Sequence, residues 1–403
     1  MKHSRPLARQ WYRAINSFFS SELFRVQATC RWCSHRVAEV PSSHVFKKQA
    51  LCDKTYDEAV LALNSLQSNA AQIEAKRQQN KKQSDNLKLM TRSLSQVGVT
   101  LDQLNGINIV HITGTKGKGS TAALTESILR QHGYKTGFYS SPHLVEVRER
   151  IRLQGFPISQ EMFGSYFWKV YDALSSQLEE GEQLPFYFKF LTLMAFKVRH
   201  DQRDHSAPSV RHHLSRHRPH IAAGQHNRRD LVAKGRHHEV HVSTVSVPQP
   251  GAALHVLQEC AQEVRAPLFE APPFDARQRI SDTLPHLDVQ QKNASLAVQL
   301  SRIFMERQAD RRKWTTPTHG RCTLPLVCLS SQYMQGLEKC KWPGRFHKTE
   351  REGVTYYVDG AHTSDSIGEA FKWFRQQSTR EKQRLEAANK ETRTILMFNR
   401  TGE

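Results

Sequence analysis

The sequence predicts an α/β fold built on a parallel sheet. Residues 107–112 form a short run of mostly β-branched residues, which is typical of a buried strand. A glycine-rich segment follows, and a helical pattern then runs over residues 120–132 until Gly133 ends it. Residues 135–140 predict the next strand. This order of strand, loop, helix and strand indicates a parallel sheet covered by helices.

The flanking segments predict further elements. Apolar residues recur with helical spacing from Tyr56, whereas residues 78–86 are polar and predict a loop. The same criteria predict, in chain order, helices at 160–179 and 187–198, a strand at 354–358, a helix at 365–377 and a strand at 394–398. Because two strands and one helix bury little surface, we expect this C-terminal α/β domain to be truncated.

The formal charge of +20 does not by itself indicate a nucleic-acid partner. More than half of this charge comes from two stretches, residues 1–50 and residues 199–241. The rest of the chain is only mildly basic, so we expect no nucleic-acid-binding domain. No run of about 18 apolar residues predicts a membrane-spanning helix.

The N-terminal segment has the composition of a targeting sequence. Residues 1–45 are rich in Arg and Ser and poor in acidic residues, with apolar residues such as Trp11 and Phe18 between the basic ones. This composition is typical of a mitochondrial transit peptide, and an ordinary disordered tail is the alternative. An alternative start downstream would leave a cytosolic form. Cys30 and Cys33 form a C-x-x-C pair without a second pair at matching spacing, so we expect no zinc or redox role.

The strongest chemical signal is the glycine-rich segment 113–120, with the sequence TGTKGKGS. It lies between the predicted strand and helix, which is the context that a phosphate-binding loop (P-loop) requires. Glycines let backbone N–H groups approach phosphate oxygens, and the helix start adds partial positive charge. Lys118 can neutralise a transferred phosphoryl group, and Ser120 or Thr121 can help to place nucleotide or metal. The common G-x-x-x-x-G-K-[ST] pattern is altered, because Ile112 replaces its first glycine and Gly119 follows the lysine.

This compact form resembles the Mur ligase and folylpolyglutamate synthase superfamily. Other segments narrow the resemblance to folylpolyglutamate synthases of the eukaryotic type. They are YDEAV with LNSLQ at 56–67, GFYSSPHLV with VRERI at 137–151, FLTLMAF at 190–196, WPGR at 342–345 and DGAHT at 359–363. The resemblance covers residues 55–198 and 242–403. It implies a Mur-ligase-like P-loop ATPase domain with a parallel sheet, followed by a truncated α/β C-terminal domain.

The resemblance also implies a reaction. Members of this family use ATP to join L-glutamate to the γ-carboxyl group of tetrahydrofolates. ATP converts the carboxylate to an acyl phosphate, which the amine of glutamate attacks, while Mg²⁺ and positive side chains balance the charge. We therefore expect ATP and Mg²⁺ as cofactors, tetrahydrofolate and L-glutamate as substrates, and a monomeric chain. A dihydrofolate synthase shares this fold and chemistry and remains an alternative.

Site residues follow by matching motifs. The resemblance assigns ATP phosphates to four residues of the glycine-rich segment: Gly117, Lys118, Gly119 and Ser120. Among them, Lys118 is the expected catalytic residue. Ser141 matches the magnesium-ligating serine of the family, and a hydroxyl oxygen suits a hard ion. From the residues alone, Ser141 would be a turn serine before Pro142.

Two C-terminal residues complete the expected nucleotide site. Arg345 and Asp359 match residues of the family that contact ATP, and an arginine there can counter phosphate charge. Without the resemblance, both would be read as surface residues. His362 lies close in sequence and is a weaker candidate. The segment 142–151 resembles the folate-side loop of the family.

The resemblance breaks after Val198. The family has a strand ending in Glu-Val-Gly-Ile-Gly-Gly, and later a Gly-Ile-Asp-His-Thr motif, whose glutamate and histidine bind magnesium. Neither motif is present in this chain. Residues 199–241 instead carry almost half of the 21 histidines, without regular spacing. A metal- or nucleic-acid-binding role for this tract is the alternative that its composition suggests.

We interpret residues 199–241 as translated in a shifted reading frame. Codons can be chosen for residues 201–239 so that reading one nucleotide downstream yields a family-like sequence. That sequence contains the missing Gly-Ile-Asp-His-Thr motif, with its histidine at the position of Pro219. The glutamate-bearing strand is missing altogether. We therefore expect a polar, basic loop that does not pack, the loss of two magnesium ligands, and little or no synthase activity.

These observations predict a division of the chain into regions. They are a transit segment at 1–50, an ATP- and folate-binding domain at 51–305 that contains the aberrant stretch, a linker at 306–340 and a partial C-terminal domain at 341–403. We also expect a mitochondrial location, in the matrix or peripherally at the inner membrane. The alternative to an impaired ligase is a non-catalytic product that binds at most nucleotide or folate.

Overall fold

The computed structural model describes most of the chain beyond its N-terminal segment. The described residues are 54–67, 83–105, 107–114, 116–204, 220–222, 243–263, 266–274, 287–308, 322–389 and 391–397. The expected transit segment and most of residues 205–242 lie outside them. The chain divides into two compact units. One contains Asp53–Phe346 and Asp359–Glu403, and the described part of the other is His347–Val358.

The larger unit contains helices throughout its length. They are α1 (Tyr56–Ser65), α2 (Gln83–Gln96), α3 (Leu101–Asn105), α4 (Lys118–Gln131), α5 (Gln160–Ser175), α6 (Tyr187–Asp204), α7 (Gly251–Glu263), α8 (Asp288–Gln308), α9 (Ser331–Glu338) and α10 (Ser364–Glu386). Helix α1 begins where the Thr55 hydroxyl accepts a hydrogen bond from the Glu58 N–H, and the Glu58 carboxylate accepts one from the Thr55 N–H. Such a capping box satisfies two donors that the first turn leaves free.

The strands of the larger unit form parallel and antiparallel sheets. They are β1 (His111–Thr113), β2 (Gly137–Tyr139), β3 (Ile151–Leu153), β4 (Phe156–Pro157), β5 (His220–Ala222), β6 (Thr244–Ser246), β7 (Leu268–Glu270) and β8 (Cys322–Thr323). The pairs β1–β5, β6–β7 and β7–β8 are parallel, whereas β2–β3 and β3–β4 are antiparallel. The predicted parallel α/β architecture is therefore confirmed.

One strand has a different partner from the expected one. We predicted residues 135–140 as the strand following β1 in a parallel sheet, but β2 pairs antiparallel with β3. A short loop and one turn of 3₁₀ helix, Val147–Arg150, reverse the chain between them. A connection this short allows only antiparallel pairing of the two strands, because a parallel pair needs a crossover of a dozen or more residues.

Five helices, α1, α2, α3, α5 and α6, contribute buried side chains to the largest apolar core of the described residues. Phe163 and Phe167 of α5 and Phe190 and Met194 of α6 are fully buried there, together with Leu63 of α1. Each such side chain contributes roughly 1.5–3 kcal/mol when buried. A second core joins β6 and β7 to α8, and a third joins α4, α8 and α9. The third core holds the outer side of α4 and so fixes the loop that precedes this helix.

Several predicted boundaries were wrong. Residues 83–86 were predicted as a loop but form the first turn of α2. Leu94 near the C-terminal end of this helix and Val97 just after it are buried, and the helix extends from there back into the polar segment. Residues 394–397 are not a strand; Ile395 is 60% exposed, and no described strand is available to pair with this segment. Within 306–340, where the sequence lacks clear periodicity, the structure has β8 and α9.

Residues 199–241 contribute more structure than we predicted. Helix α6 continues to Asp204, and β5 pairs in parallel with β1, with Ile221 opposite Ile112. We expected a loop that does not pack, and this prediction was wrong for residues 220–222. Backbone hydrogen bonds form the pair, so they place few demands on side chains. Residues 221–223 are also among the least polar of the stretch.

The described part of the smaller unit is a hairpin. Strands β9 (His347–Arg351) and β10 (Val354–Val358) pair antiparallel, with Thr349 opposite Tyr356, as predicted for residues 354–358. Glu352 and Gly353 connect them with φ of 51° and 75°. Two central residues with positive φ match the twist of a two-residue hairpin. Across the described residues, no helix combines the length and apolarity needed to cross a membrane.

Candidate functional site

The glycine-rich loop lies between β1 and α4, as the sequence predicts. Gly117 is the N-cap of α4 and has a φ of 79°, in the left-handed region. A Cβ atom on Gly117 would lie 2.4 Å from the Oδ1 atom of Asn293, so the position also has no room for a side chain. Asn293 accepts a hydrogen bond from the Thr121 hydroxyl at 3.2 Å as well. Its amide group therefore braces the loop from α8.

Lys118 occupies the first position of α4 and turns back over the loop. Its Nζ atom donates to the carbonyl oxygen of Gly114 at 2.7 Å. The first backbone bond of the helix runs from the Thr121 N–H to the Gly117 carbonyl at 2.9 Å. The N–H groups of Gly119 and Ser120 precede this bond and lie in the turn that helices leave without internal partners. An ammonium group and free N–H groups thus share one helix end, which suits an anion.

Ser141 lies on the loop that follows β2. The residue is exposed, and within the described chain its side chain has no hydrogen-bond partner. Glu149 shapes the rest of this loop, since its carboxylate accepts from the backbone N–H groups of Leu144, Val145 and Glu146 at 2.9, 2.9 and 2.7 Å. The carboxylate therefore fixes the backbone directly after the Ser141-Pro142-His143 segment.

A cation is held beside this loop. The Nε atom of Arg150 donates to Nδ1 of His143 at 2.9 Å, and its guanidinium lies 5.2 Å from the ring centre of Tyr187. Burial lowers the pKa of His143, Arg150 lowers it further, and Glu149 opposes the shift. The imidazole is therefore held as a neutral acceptor that fixes Arg150.

The turn at 342–346 reaches both loops. The indole of Trp342 would lie 3.0 Å from a Cβ atom on Gly119, and a Cβ atom on Gly344 would lie 3.2 Å from Leu144. Arg345 follows in the same turn and is exposed. The turn therefore places an arginine close to the glycine-rich loop and to the segment that carries Ser141.

Asp359 stabilises this turn by a hydrogen bond to its backbone. Its carboxylate accepts from the Phe346 N–H at 2.7 Å, and the Gly360 N–H donates to the Gly344 carbonyl at 2.9 Å. Burial raises the pKa of Asp359, while the backbone bond from Phe346 and the charge of Arg345 oppose this shift. His362 instead bonds the carbonyl of Gly360 through Nδ1 at 2.9 Å.

An ion pair joins the glycine-rich loop to the C-terminal helix. Lys116 Nζ lies 2.9 Å from the Asp365 carboxylate in the first turn of α10. Four segments thus converge: the glycine-rich loop, the loop after β2, the turn at 342–346 and the start of α10. The sequence-predicted residues Lys118, Arg345 and Asp359 lie on segments that are in contact. Ser141 is brought near only through Leu144, further along its loop.

The donor groups for magnesium are incomplete in the described part of the chain. It contains no group of three or more His, Cys, Asp or Glu side chains that could hold a metal ion. Ser141 supplies one hydroxyl oxygen, and a magnesium site usually includes carboxylates as well. The described residues alone therefore do not fit a magnesium ion.

Three residues of this site were missed or undervalued from sequence. Asn293 carries no local signal, because it reaches Gly117 from a helix far along the chain. Glu149 could have been found, since Glu146 and Glu149 have the spacing of a capping box. Trp342 was noted only as part of a motif, although its ring contacts the glycine-rich loop.

The fold belongs to the Mur-ligase-like class. The chain matches the structure of folylpolyglutamate synthetase from Lactobacillus casei with a TM-score of 0.59 and 20% identity, covering 83% of this chain and 86% of that one. It also matches a Mycobacterium tuberculosis folylpolyglutamate synthase complexed with ADP, with a TM-score of 0.54 and 17% identity, covering 79% and 74%. These likenesses establish the fold.

Sequence relatives establish the family. The chain is 35% identical to the human protein named folylpolyglutamate synthase, mitochondrial, over 96% of this chain and 70% of the relative. It is 36% identical to the bovine protein of the same name, over 87% of this chain. The chain therefore belongs to the folylpolyglutamate synthase family. It spans only 65% of the bovine relative's length. No family model matches the chain.

Proposed function

We propose that this chain is an ATP-dependent ligase of the folylpolyglutamate type, which joins L-glutamate to the γ-carboxyl of tetrahydrofolates, and that its turnover is impaired. The observation that carries the proposal is the loop before α4, where the ammonium group of Lys118 and the first N–H groups of the helix lie at the same helix end. Curated relatives bear the name of this enzyme. Structures with this fold include a folylpolyglutamate synthase in complex with AMPPCP and folate.

The chemistry begins with a poor electrophile. A carboxylate resists attack by an amine, so the γ-carboxylate first takes a phosphoryl group from ATP and becomes an acyl phosphate. The amine of glutamate then attacks the carbonyl carbon, and the tetrahedral intermediate expels phosphate. Positioning and charge stabilisation supply most of the catalysis in such transfers.

Each candidate residue has a place in this reaction. Lys118 exchanges its bond to the Gly114 carbonyl for the transferred phosphoryl group and neutralises its charge. Gly117, Gly119 and Ser120 present backbone N–H groups to the other phosphate oxygens. Arg345, carried by the turn that Asp359 holds, adds positive charge from the C-terminal side.

The loop after β2 forms the acceptor side. Ser141 is exposed there, and Arg150 is fixed by His143 and Tyr187 next to it. A guanidinium held in this way can bind a carboxylate of an anionic folate. The closely spaced contacts of Leu144 with Gly344 keep this acceptor side next to the nucleotide side.

Impairment is proposed from residues 199–241. The two family motifs that supply further magnesium ligands are absent, and a basic, histidine-rich stretch replaces them. A non-catalytic protein that keeps nucleotide binding is the second candidate, and the same stretch favours it. The segment 1–45 and the word mitochondrial in the relatives' names support a mitochondrial location.

Paired binding and turnover assays test the proposal. We expect the purified chain to bind ATP, Lys118→Ala to lose that binding, and glutamate incorporation into tetrahydrofolate to be slow. A version carrying the alternative-frame sequence at 201–239 should ligate faster than the chain as written. Use of dihydropteroate as the better acceptor would instead indicate a dihydrofolate synthase. The proposal fails if Lys118→Ala leaves ATP affinity unchanged.

A further inference from the structure

A separate cluster of positive charge lies outside the glycine-rich loop. It lines a cavity of about 170 Å³ formed by α4, the strands β2 to β4 and residues 339–342. The cations are Arg130, Arg152, Lys339 and Lys341, and the lining includes one acidic side chain, Glu126. We call this space the basic cavity. No step of the proposed ligation uses it.

Arg152 is the most deeply buried cation of the basic cavity. Only 9% of the residue is exposed. Its Nε atom donates to the Glu149 carbonyl at 3.2 Å, and its guanidinium lies 4.8 Å from the ring centre of Trp342. Its terminal nitrogens donate to no acceptor in the part of the chain that the structure describes. These terminal nitrogens are not fully enclosed by protein, and guanidinium donors without a protein acceptor favour an oxyanion.

The other groups of the cavity leave its positive charge largely uncompensated. Glu126 is already engaged, since its Oε1 atom accepts from Arg130 at 3.1 Å and from the Thr136 hydroxyl. Burial raises the pKa of the Cys340 thiol to about 12, so the thiol stays neutral. Among the described residues, Lys339 donates to the amide oxygens of two glutamines.

The cavity adjoins the glycine-rich loop through one side chain. Trp342 lines the cavity, carries the Arg152 guanidinium on its ring, and packs against Gly119 in the first turn of α4. Phe138 meets the same indole edge-on, with ring centres 5.3 Å apart. A group bound to Arg152 would therefore touch the residue that supports the loop.

We propose that the basic cavity binds a small oxyanion, a phosphate or carboxylate group, between Arg152 and Lys341. The anion completes the hydrogen bonds of Arg152 and offsets the charge of the two lysines. The cavity volume admits a single such group and not a whole folate or nucleotide. Its position next to Trp342 makes the glycine-rich loop sensitive to its occupancy.

Calorimetric titration of the full chain with inorganic phosphate and with succinate, at constant ionic strength, tests the proposal. We expect at least one of them to bind, and the tighter one identifies phosphate or carboxylate as the source. Arg152→Met keeps the stem of the side chain and should weaken binding roughly tenfold or more. Lys341→Glu changes an exposed position, so it should fold normally and also weaken binding.

Two control variants separate this cavity from the loop. Lys118→Ala should retain the anion binding. Arg92→Met, at a distant surface arginine, should also leave it unchanged. The anion should also alter tryptophan fluorescence in the wild type and not in Trp342→Phe. The proposal is overturned if neither anion binds, if Lys341→Glu binds as tightly as the wild type, or if Lys118→Ala alone abolishes binding.

Discussion

The side-chain oxygen of Asn293 lies only 2.4 Å from the position that a Cβ atom on residue 117 would take. Asn293 belongs to α8 and Gly117 to the loop before α4, so the contact joins two helices at the point where we propose that phosphate binds. Two independent constraints, the left-handed backbone and the contact with Asn293, therefore require glycine at this position.

Gly117→Ala should weaken ATP binding strongly and destabilise the fold. The left-handed backbone alone costs about 1–2 kcal/mol for a residue with a Cβ atom, and the contact adds to this. Gly181→Ala is a matched control, because Gly181 has a φ of 83° and nothing within 4 Å of a Cβ position. Urea unfolding and ATP titration measure both effects. Equal behaviour of the two variants would mean that Asn293 does not constrain the loop.

Glu149→Gln should reorganise the loop that carries Ser141. The ionised carboxylate accepts three backbone N–H groups, and bonds to a charged acceptor are worth about 1.5–3 kcal/mol each. We expect a loss of roughly 2–4 kcal/mol in the free energy of unfolding, because some bonds survive to the amide. Glu180→Gln, at an exposed glutamate, should change stability far less. Denaturant titrations of both variants decide the matter.

Lys116→Ala should have little effect on stability. The pair with Asp365 is exposed, 41% at the lysine and 84% at the aspartate, and such pairs are worth about 0–1 kcal/mol. A double-mutant cycle with Asp365→Ala, run at low and high salt, isolates the interaction. A coupling that exceeds this range or ignores salt would contradict the expectation.

His143 should make stability depend on pH. Its pKa is lowered in the folded chain, so the unfolded chain binds more protons at mildly acidic pH. The contribution is fully present above the ordinary histidine value of about 6.5 and is lost as pH falls toward the folded pKa. His143→Gln should therefore flatten the stability profile below about pH 6.5, measured by urea unfolding at several pH values.

Asp359 should make stability depend on pH in the opposite direction to His143. Its pKa is raised by burial, so its ionisation costs stability as pH rises through the folded pKa. Asp359→Asn keeps an acceptor for the Phe346 N–H and should stabilise the chain at neutral pH while weakening nucleotide binding. Thermal melts near pH 3 and pH 7 test this, since the gain should vanish at the lower pH.

Local patterns predicted the parts of the molecule that local interactions determine. The strand, glycine-rich loop and helix at 111–131 follow from β-branched residues, glycines and helical spacing. The partners that hold this loop come from distant segments: Asn293 from α8 and Trp342 from the turn after α9. No spacing rule connects these positions, because tertiary packing brings them together. The antiparallel pairing of β2 with β3 depends on the short connection between them, which the pattern of residues 135–140 does not reveal.

Strand β5 shows that the requirements for forming a sheet differ from the requirements for catalysis. Its ladder with β1 uses only main-chain amides and carbonyls, so almost any short, weakly polar tripeptide could serve there. Catalysis is less tolerant, because a carboxylate or imidazole side chain has no main-chain substitute. The pairing of β5 with β1 is therefore no evidence for or against the proposed ligation.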